Sequence, residues 1–404
     1  MNTVANVWRE LPFSEAVLVN PPTLLEHGKA YPFVEMSAVT TGMRDVRSSE
    51  QRQFSGYGSR FRNRDTLMAR ITPCLENGKV ARFQAPESQS LGHGSTEFII
   101  IRGRPGVSDN DFAYYLTISP KVRHFAISQM TGSSGRQRVP TDAFNAISIP
   151  LPPVEDQKAI ASVLGALDDK IELNRRTNET LEALAQALFK SWFVDVTANG
   201  LPKGWREKPL SDAIEVNPAR SLRKGEVAPY LDMANIPTSS ARALEITDRE
   251  FGSGMRFRDG DTLVARITPC LENGKTCFVD SLGEGRIGWG STEYIVLRPK
   301  PPLPPEFAYF LARTDQFRAF AISNMTGTTG RQRVPADCLS NFTMAVPPTE
   351  LAAEFGKFAN AVFEKMKGND EESRTLAALR DTLLPKLLSG ELRIQTSSFE
   401  GAQI

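Results

Sequence analysis

Apolar residues recur at intervals of three and four from Val154 to Val194: Ile160, Leu164, Leu167, Ile171, then Leu181, Leu184, Leu188 and Trp192. No proline falls in this stretch, and Gly165 is its one glycine. The spacing predicts a helix of about 38 residues, roughly 57 Å long. Its seam is narrow and heptad-like, which suggests a coiled-coil partner. A second stretch has the same form: Phe355, Phe358, Val362 and Met366, then Leu376, Leu379, Leu383 and Leu387. Gly390 is a natural stop for it, and Pro385 should kink its last turns. Both seams turn polar in the middle, at Asn174 and at Asn369. A buried Asn in an apolar seam costs stability and fixes helix-pair register. Solvated asparagines would do neither, and the pattern leaves both readings open.

Ahead of each predicted helix the chain follows a shorter period, and it does so twice. "RFRNRDTLMARITPCLENGK" (60–79) returns as "RFRDGDTLVARITPCLENGK" (256–275), and "GSTEFIIIR" (94–102) as "GSTEYIVLR" (290–298). "FAYYL" (112–116) returns as "FAYFL" (307–311), and "FAISQMTGSSGRQRVP" (125–140) as "FAISNMTGTTGRQRVP" (320–335). Two copies in the same order indicate a duplicated domain rather than a solenoid. "TEFIIIR" and "TEYIVLR" read as buried strands, and "DTLMARI" and "DTLVARI" as strands also. "DFAYYLTIS" and "EFAYFLART" read as short helices. "TGSSGRQRVP" reads as a loop. The expected fold is α+β. Two similar globular α/β domains alternate with two long helices, which pair as an antiparallel coiled coil with a pseudo-two-fold axis. The divisions fall at 1–153, 154–198, 199–348 and 349–404.

Composition adds little to this. With 40% hydrophobic and 24% charged residues, the chain reads as soluble and globular. A formal net charge of +1 creates no overall field toward nucleic acid or membrane, although a local basic surface would suffice for DNA. The start "MNTVANVWRELPFSE" lacks the pattern of a signal peptide, and no apolar run is long enough to cross a membrane. A cytoplasmic location is expected. Cys74 and Cys270 repeat and are expected to be small buried thiols. No clustered Cys/His spacing suggests a metal site.

Catalytic motifs are not evident. "VNPPT" (19–23) approaches the Asn-Pro-Pro-aromatic motif of amino-methyltransferases, but Thr23 replaces the aromatic and the copy reads "VNPAR". A Pro-rich turn is the better account. There is no GxxxxGK[ST] phosphate loop. Asp65 and Glu76 repeat as Asp261 and Glu272, and are read as solvated strand-end and turn residues rather than metal ligands. What repeats is a stock of donors on loops. Ser133, Ser134, Arg136, Gln137 and Arg138 correspond to Thr328, Thr329, Arg331, Gln332 and Arg333, and Asn77 and Lys79 to Asn273 and Lys275. Glycine-rich loops let a backbone approach phosphate, and Arg and Gln can read guanine and adenine. These loops could equally be scaffolds. The copies diverge most between Asn20 and Ser59 and between Asn217 and Met255. There Thr40, Thr41, Arg44 and Arg47 face Thr238, Ser239 and Arg242, as paired recognition units would require.

At "ITPCLENGK", "GSTEF" or "GSTEY", "MTG..GRQRVP", "IPLPPVEDQKAI" and "LRDTLLPKLLSGEL", the sequence resembles the specificity subunits of type I restriction-modification enzymes. The resemblance covers nearly the whole chain. It implies two target-recognition domains and two helical spacers, 154–194 and 349–392. It implies a non-catalytic DNA-binding subunit that holds no cofactor. The partners implied are double-stranded DNA and two adenine-modifying subunits, which use S-adenosylmethionine. A translocase-nuclease restriction subunit would complete the enzyme. Many members carry dissimilar recognition domains, whereas these share long segments, so related half-sites are expected. The competing readings are a coiled-coil adaptor between proteins, and a self-sufficient methyltransferase or nuclease.

Overall fold

The structure, a computed structural model, describes residues 8–394 apart from Ser49, Ser134 and Thr329. The chain start and the tail of the last spacer lie outside the described residues, as do the expected loop residues Ser134 and Thr329. Two compact units are present: Met1–Asn174 with Asp370–Ile404, and Arg175–Asn369. Each takes with it half of each long helix.

In the first unit a five-stranded sheet runs in the order Val17–Val19, Phe98–Gly103, Thr66–Ala69, Val80–Phe83, Asp45–Val46. Side chains alternate between the faces of a strand. Here both faces are covered. Met68, Ile99 and Ile101 enter one core with Phe112 and Leu116, while Leu67, Phe98 and Ile100 enter another with Val34 and Phe61. A strand buried on both faces reads as an unbroken apolar run, which is why "FIIIR" shows no alternation. The first core lies under the helices Asn110–Ile118 and Pro120–Ser128. The second lies under a four-stranded sheet ordered Glu50–Gln53, Ala30–Val34, Leu91–Gly94, Ser59–Arg62. The layers are therefore helices, sheet, sheet.

The second unit is built the same way. Ile214–Val216, Tyr294–Pro299, Thr262–Ala265 and Thr276–Phe278 form one sheet. Thr247–Glu250, Val227–Leu231, Gly288–Gly290 and Met255–Phe257 form the other. Val264, Ile295 and Leu297 point to one core, and Leu263, Tyr294 and Val296 to the other.

The first long helix spans Val154–Phe189 and continues as a π-helical turn, Lys190–Val194. The second spans Thr349–Ser389, is helical through Pro385, and ends at Gly390 with φ of +77°. Within each unit the halves pack antiparallel. In the first, Asp168 bonds Arg380 and Asn174 bonds Glu372, so numbers rise along one helix as they fall along the other. In the second, Asn178 bonds Asn369 and Phe189 packs on Phe355. The leucine seam needs one correction. Leu184 and Leu379 are exposed, and the positions just after them, Ala185 and Arg380, are buried instead. A strict heptad drifts around a helix of 3.6 residues per turn, so the buried stripe slips by a residue.

Candidate nucleic-acid interface

Three motifs that are far apart in sequence meet in each unit. In the first, the Thr72 N–H donates to Gln137 O at 3.0 Å, Val139 N–H to Arg70 O at 2.9 Å, and Arg70 N–H to Glu97 O at 2.9 Å. Arg138 then clasps the Glu97 carboxylate through Nε and Nη2, at 2.9 and 2.6 Å. The second unit repeats this bond for bond. Thr268 donates to Gln332, Val334 to Arg266 and Arg266 to Glu293, and Arg333 clasps Glu293 at 2.9 and 2.7 Å. The eleven identical residues 69–79 and 265–275 are thus one wall of a loop cluster. Partly exposed ion pairs such as Arg138–Glu97 add little stability. Their bidentate geometry fixes orientation instead.

The loop that follows Pro73 closes on itself. Asn77 N–H donates to Pro73 O, and Gly78 N–H to Leu75 O. Gly78 has φ of +72°, a backbone that side chains other than glycine adopt only with strain. Arg123 crosses behind it and donates to Glu76 O, as Arg318 does to Glu272 O. Asn77 and Asn273 are exposed on this loop, and the Thr41 hydroxyl donates to Asn77 O. Lys79 and Lys275 are half-buried. Each ammonium donates to a carbonyl of the variable segment, Met36 O at 2.9 Å and Met233 O at 2.7 Å. These lysines tie the constant loop to the divergent one.

The remaining expected residues separate into two groups. Ser133, Arg136, Thr328 and Arg331 are exposed at the loop tips, as are Thr40, Thr238 and Ser239. Gln137 and Gln332 are half-buried, with their carbonyls used inside the cluster. Arg47 is exposed and donates to Gln84. Arg44 and Arg242 sit apart from this surface. Arg44 is nearly covered, and donates to Asp45, Asp169 and the Gly165 carbonyl of the long helix. Burial alone would raise the Asp45 carboxyl, but Arg82 and Arg44 outweigh it and hold it below its ordinary value. Arg242 is buried against Asp280. Both are struts between elements of their own unit.

Sequence reasoning missed Arg70 and Arg266. They stand inside the identical string, half-buried, each with an Nε that bonds nothing among the described residues. Exact repetition was the available signal. Two expectations are corrected. Asp65 and Asp261 are not solvated: Asp65 is fully buried on Arg102 at 2.7 and 2.6 Å, and Asp261 on Arg298 and Arg220 at 2.6 and 2.8 Å. Buried carboxylates need such partners. Nor are Cys74 and Cys270 buried; both are half-exposed, because each lies on the loop rather than in a strand. Of the two readings left open for the seam asparagines, the structure has the buried one. Asn174 donates to Glu372 and Ser373, Asn369 donates to Asn178, and both are almost fully buried.

The NPP segment is structural. Asn20 has φ of +47° and its Oδ1 accepts from Ile100 N–H at 2.9 Å; Asn217 has φ of +53° and accepts from Val296 N–H at 2.9 Å. Asn tolerates the left-handed region and here caps a sheet edge. Among the described residues no three His, Cys, Asp or Glu gather as a metal site, and no helix is long and apolar enough to cross a membrane.

Comparison with known proteins agrees with this geometry. Residues 24–183 match the family model described as "Type I restriction modification DNA specificity domain". The chain is 25% identical to the type I restriction enzyme MjaIX specificity subunit of Methanocaldococcus jannaschii, over 71% of this chain and 70% of that one. It is 23% identical to the HindI specificity subunit of Haemophilus influenzae, over 74% and 81%. In fold it is similar to the crystal structure of a type I restriction-modification S subunit from M. genitalium, with a TM-score of 0.53 at 15% identity over 96% of this chain and 98% of that one. Residues 24–183 thus carry a type I restriction modification DNA specificity domain, and most of the chain is similar to the specificity subunits of type I restriction enzymes.

Proposed function

We propose that this chain is the DNA-recognition subunit of a type I restriction-modification system. It reads a bipartite target with one domain per half-site, and its helices dock adenine methyltransferase subunits. Residues 1–153 and 199–348 are the recognition domains, and 154–198 and 349–404 the spacers. The chain itself carries out no chemistry. S-adenosylmethionine belongs to the modification subunits, and a restriction subunit adds cleavage.

The supporting observation is the pairing of a constant loop cluster with a divergent segment in each unit. Side chains that are identical, or keep the same hydroxyl, in both units suit the part of DNA that does not vary, the phosphate backbone. Asn77, Ser133, Ser134, Arg136, Gln137 and Arg70 take that role in one unit, and Asn273, Thr328, Thr329, Arg331, Gln332 and Arg266 in the other. Side chains that differ suit the bases: Thr40, Thr41 and Arg47 in one unit, Thr238 and Ser239 in the other. Lys79, Lys275, Arg138 and Arg333 hold the two parts together. Arg44 and Arg242 brace the domains rather than touch DNA. The buried Asn174 and Asn369 set the register of the helices.

Co-expression with the cognate modification subunits, followed by genome-wide mapping of methylated adenine, tests this reading. A bipartite consensus is expected, and exchanging residues 20–59 for another sequence should change one half of it only. Scattered methylation with no two-part consensus would overturn the assignment.

A further inference from the structure

The outward face of the second sheet carries a corresponding row of side chains in both units. In the first unit Val34 and Phe61 point into the core. Strand alternation then sends Phe33, His93 and Arg60, which are opposite one another across three strands, to the other face. They form a ladder. The Arg52 guanidinium lies 3.8 Å over the Phe33 ring, Phe33 meets His93 at 5.0 Å, His93 meets Phe54 at 5.4 Å, and Arg60 lies 4.8 Å over Phe54. In the second unit the order is Arg249, Tyr230, Trp289, Phe251, Arg256. The spacings are 4.4, 4.5, 5.3 and 4.6 Å.

A guanidinium held over a ring loses less freedom on binding than a solvated arginine; Arg60 also donates through Nη2 to Gly56 O at 3.1 Å, which holds it further. The rings in the middle differ between the units, His93 against Trp289 and Phe33 against Tyr230, while the terminal arginines are the same. Identical cations at fixed spacing suit a ligand that is the same at both half-sites. One of the four is already neutralised. Arg52 is gripped by Glu35 at 2.6 Å and Glu50 at 2.7 Å. In the second unit Thr247 stands across from Tyr230, as Glu50 does from Phe33, and no acid pairs with Arg249 among the described residues.

We infer that these outer sheet faces are phosphate tracks for duplex DNA, with Arg60 acting in the first unit and Arg249 and Arg256 in the second. The inference rests on the DNA-reading assignment above and deepens it. Tyr57, 81% exposed in the turn before Arg60, extends the track in the first unit.

The full chain assembled with its modification subunits is titrated with target duplex and with a scrambled duplex, from about 50 to 200 mM salt. Arg60→Ala, Arg249→Ala and Arg256→Ala should each reduce the slope of log K against log salt by about 0.9, on both duplexes alike. Arg60→Lys keeps the charge and should keep the slope, which separates contact from misfolding. Arg52→Ala should leave the slope unchanged. Unaltered slopes in the three variants, with normal wild-type binding, would overturn the phosphate tracks while leaving the recognition function standing. A changed methylation sequence in those variants would overturn them too, since the arginines would then be reading bases. A wild-type complex without salt-dependent DNA binding would end both.

Discussion

Asp168 in the first unit and Phe363 in the second occupy equivalent places in the repeat, as do Arg380 and Ala185, and Tyr115 and Phe310. In the first unit these three form a buried polar knot. The Tyr115 hydroxyl and the Arg380 guanidinium each donate to Asp168 at 2.6 Å, and all three side chains are almost fully covered. In the second unit the same space is filled by rings. Phe363 meets Phe310 at 5.8 Å, Tyr309 at 5.7 Å and Phe278 at 4.7 Å, while Phe189 and Phe355 complete the cluster. The arginine network beside the knot differs likewise: Arg82, which bonds Asp45 and Asp111, has Phe278 as its counterpart. Where the loops agree atom for atom, the helix seams share only volume and the satisfaction of polar groups. A core tolerates that exchange. A surface that must meet the same ligand twice does not.

Removing one member of the knot gives the largest expected effect. Arg380→Ala leaves the Asp168 carboxyl buried in the seam with Tyr115 as its remaining partner, at a cost of about 3–5 kcal/mol. Chemical denaturation measures the loss. Hydrogen exchange should place it in 154–174 and 370–389, with 175–189 and 349–369 unchanged. Uniform loosening of all four segments would mean that the units do not respond separately. The smaller effect comes from converting one seam into the other. Asp168→Phe, Arg380→Ala and Tyr115→Phe together remove the charges and the hydroxyl at once. Replacing a complete buried network by apolar groups is neutral or stabilising, up to about 4 kcal/mol. If the triple variant is as damaged as Arg380→Ala, the two seams are not interchangeable solutions.

The sequence showed some of this clearly. Repetition exposed the two units, and unbroken runs such as "FIIIR" marked strands, because a run buried on both faces cannot be anything more polar. Helix length was legible from spacing, and Gly390 from its place after the last apolar residue. Leu184 and Leu379 misled because a leucine at heptad spacing looks the same on the seam as one residue off it. Asp65 and Arg44 misled for a related reason. A charged residue is assigned to solvent by default, and only coordinates reveal the partner that lets it be buried. The ladder on the outer sheets was hidden because its members lie on four strands and a turn. Nothing in local spacing links Arg52 to Phe33, or Trp289 to Phe251.

Among the described residues, Glu182 is the one acid buried in the second unit's helix seam, where the first unit has Ala377. Its carboxylate accepts from the Tyr309 hydroxyl and from Ala241 N–H at 2.8 Å. Burial raises its pKa above the ordinary carboxylate value, and these bonds and Arg313 offset only part of that. A folded pKa above the unfolded one means that the folded chain holds more protons between the two values. Stability therefore falls as pH rises through that window, and the penalty is absent below it. Glu182→Gln cannot ionise; its one carbonyl oxygen can accept from Tyr309, while its amide nitrogen then faces the Ala241 N–H, a loss that does not depend on pH. The variant should lose this component of the pH dependence. The melting difference between variant and wild type should move in the variant's favour by about 2 °C from about pH 4 to about pH 8. A gain at acid pH instead, or the same pH dependence in both proteins, would mean that Glu182 remains comfortably charged in the seam. The second unit would then tolerate a buried acid as easily as the first tolerates Asp168, with Arg313 near it rather than bonded to it.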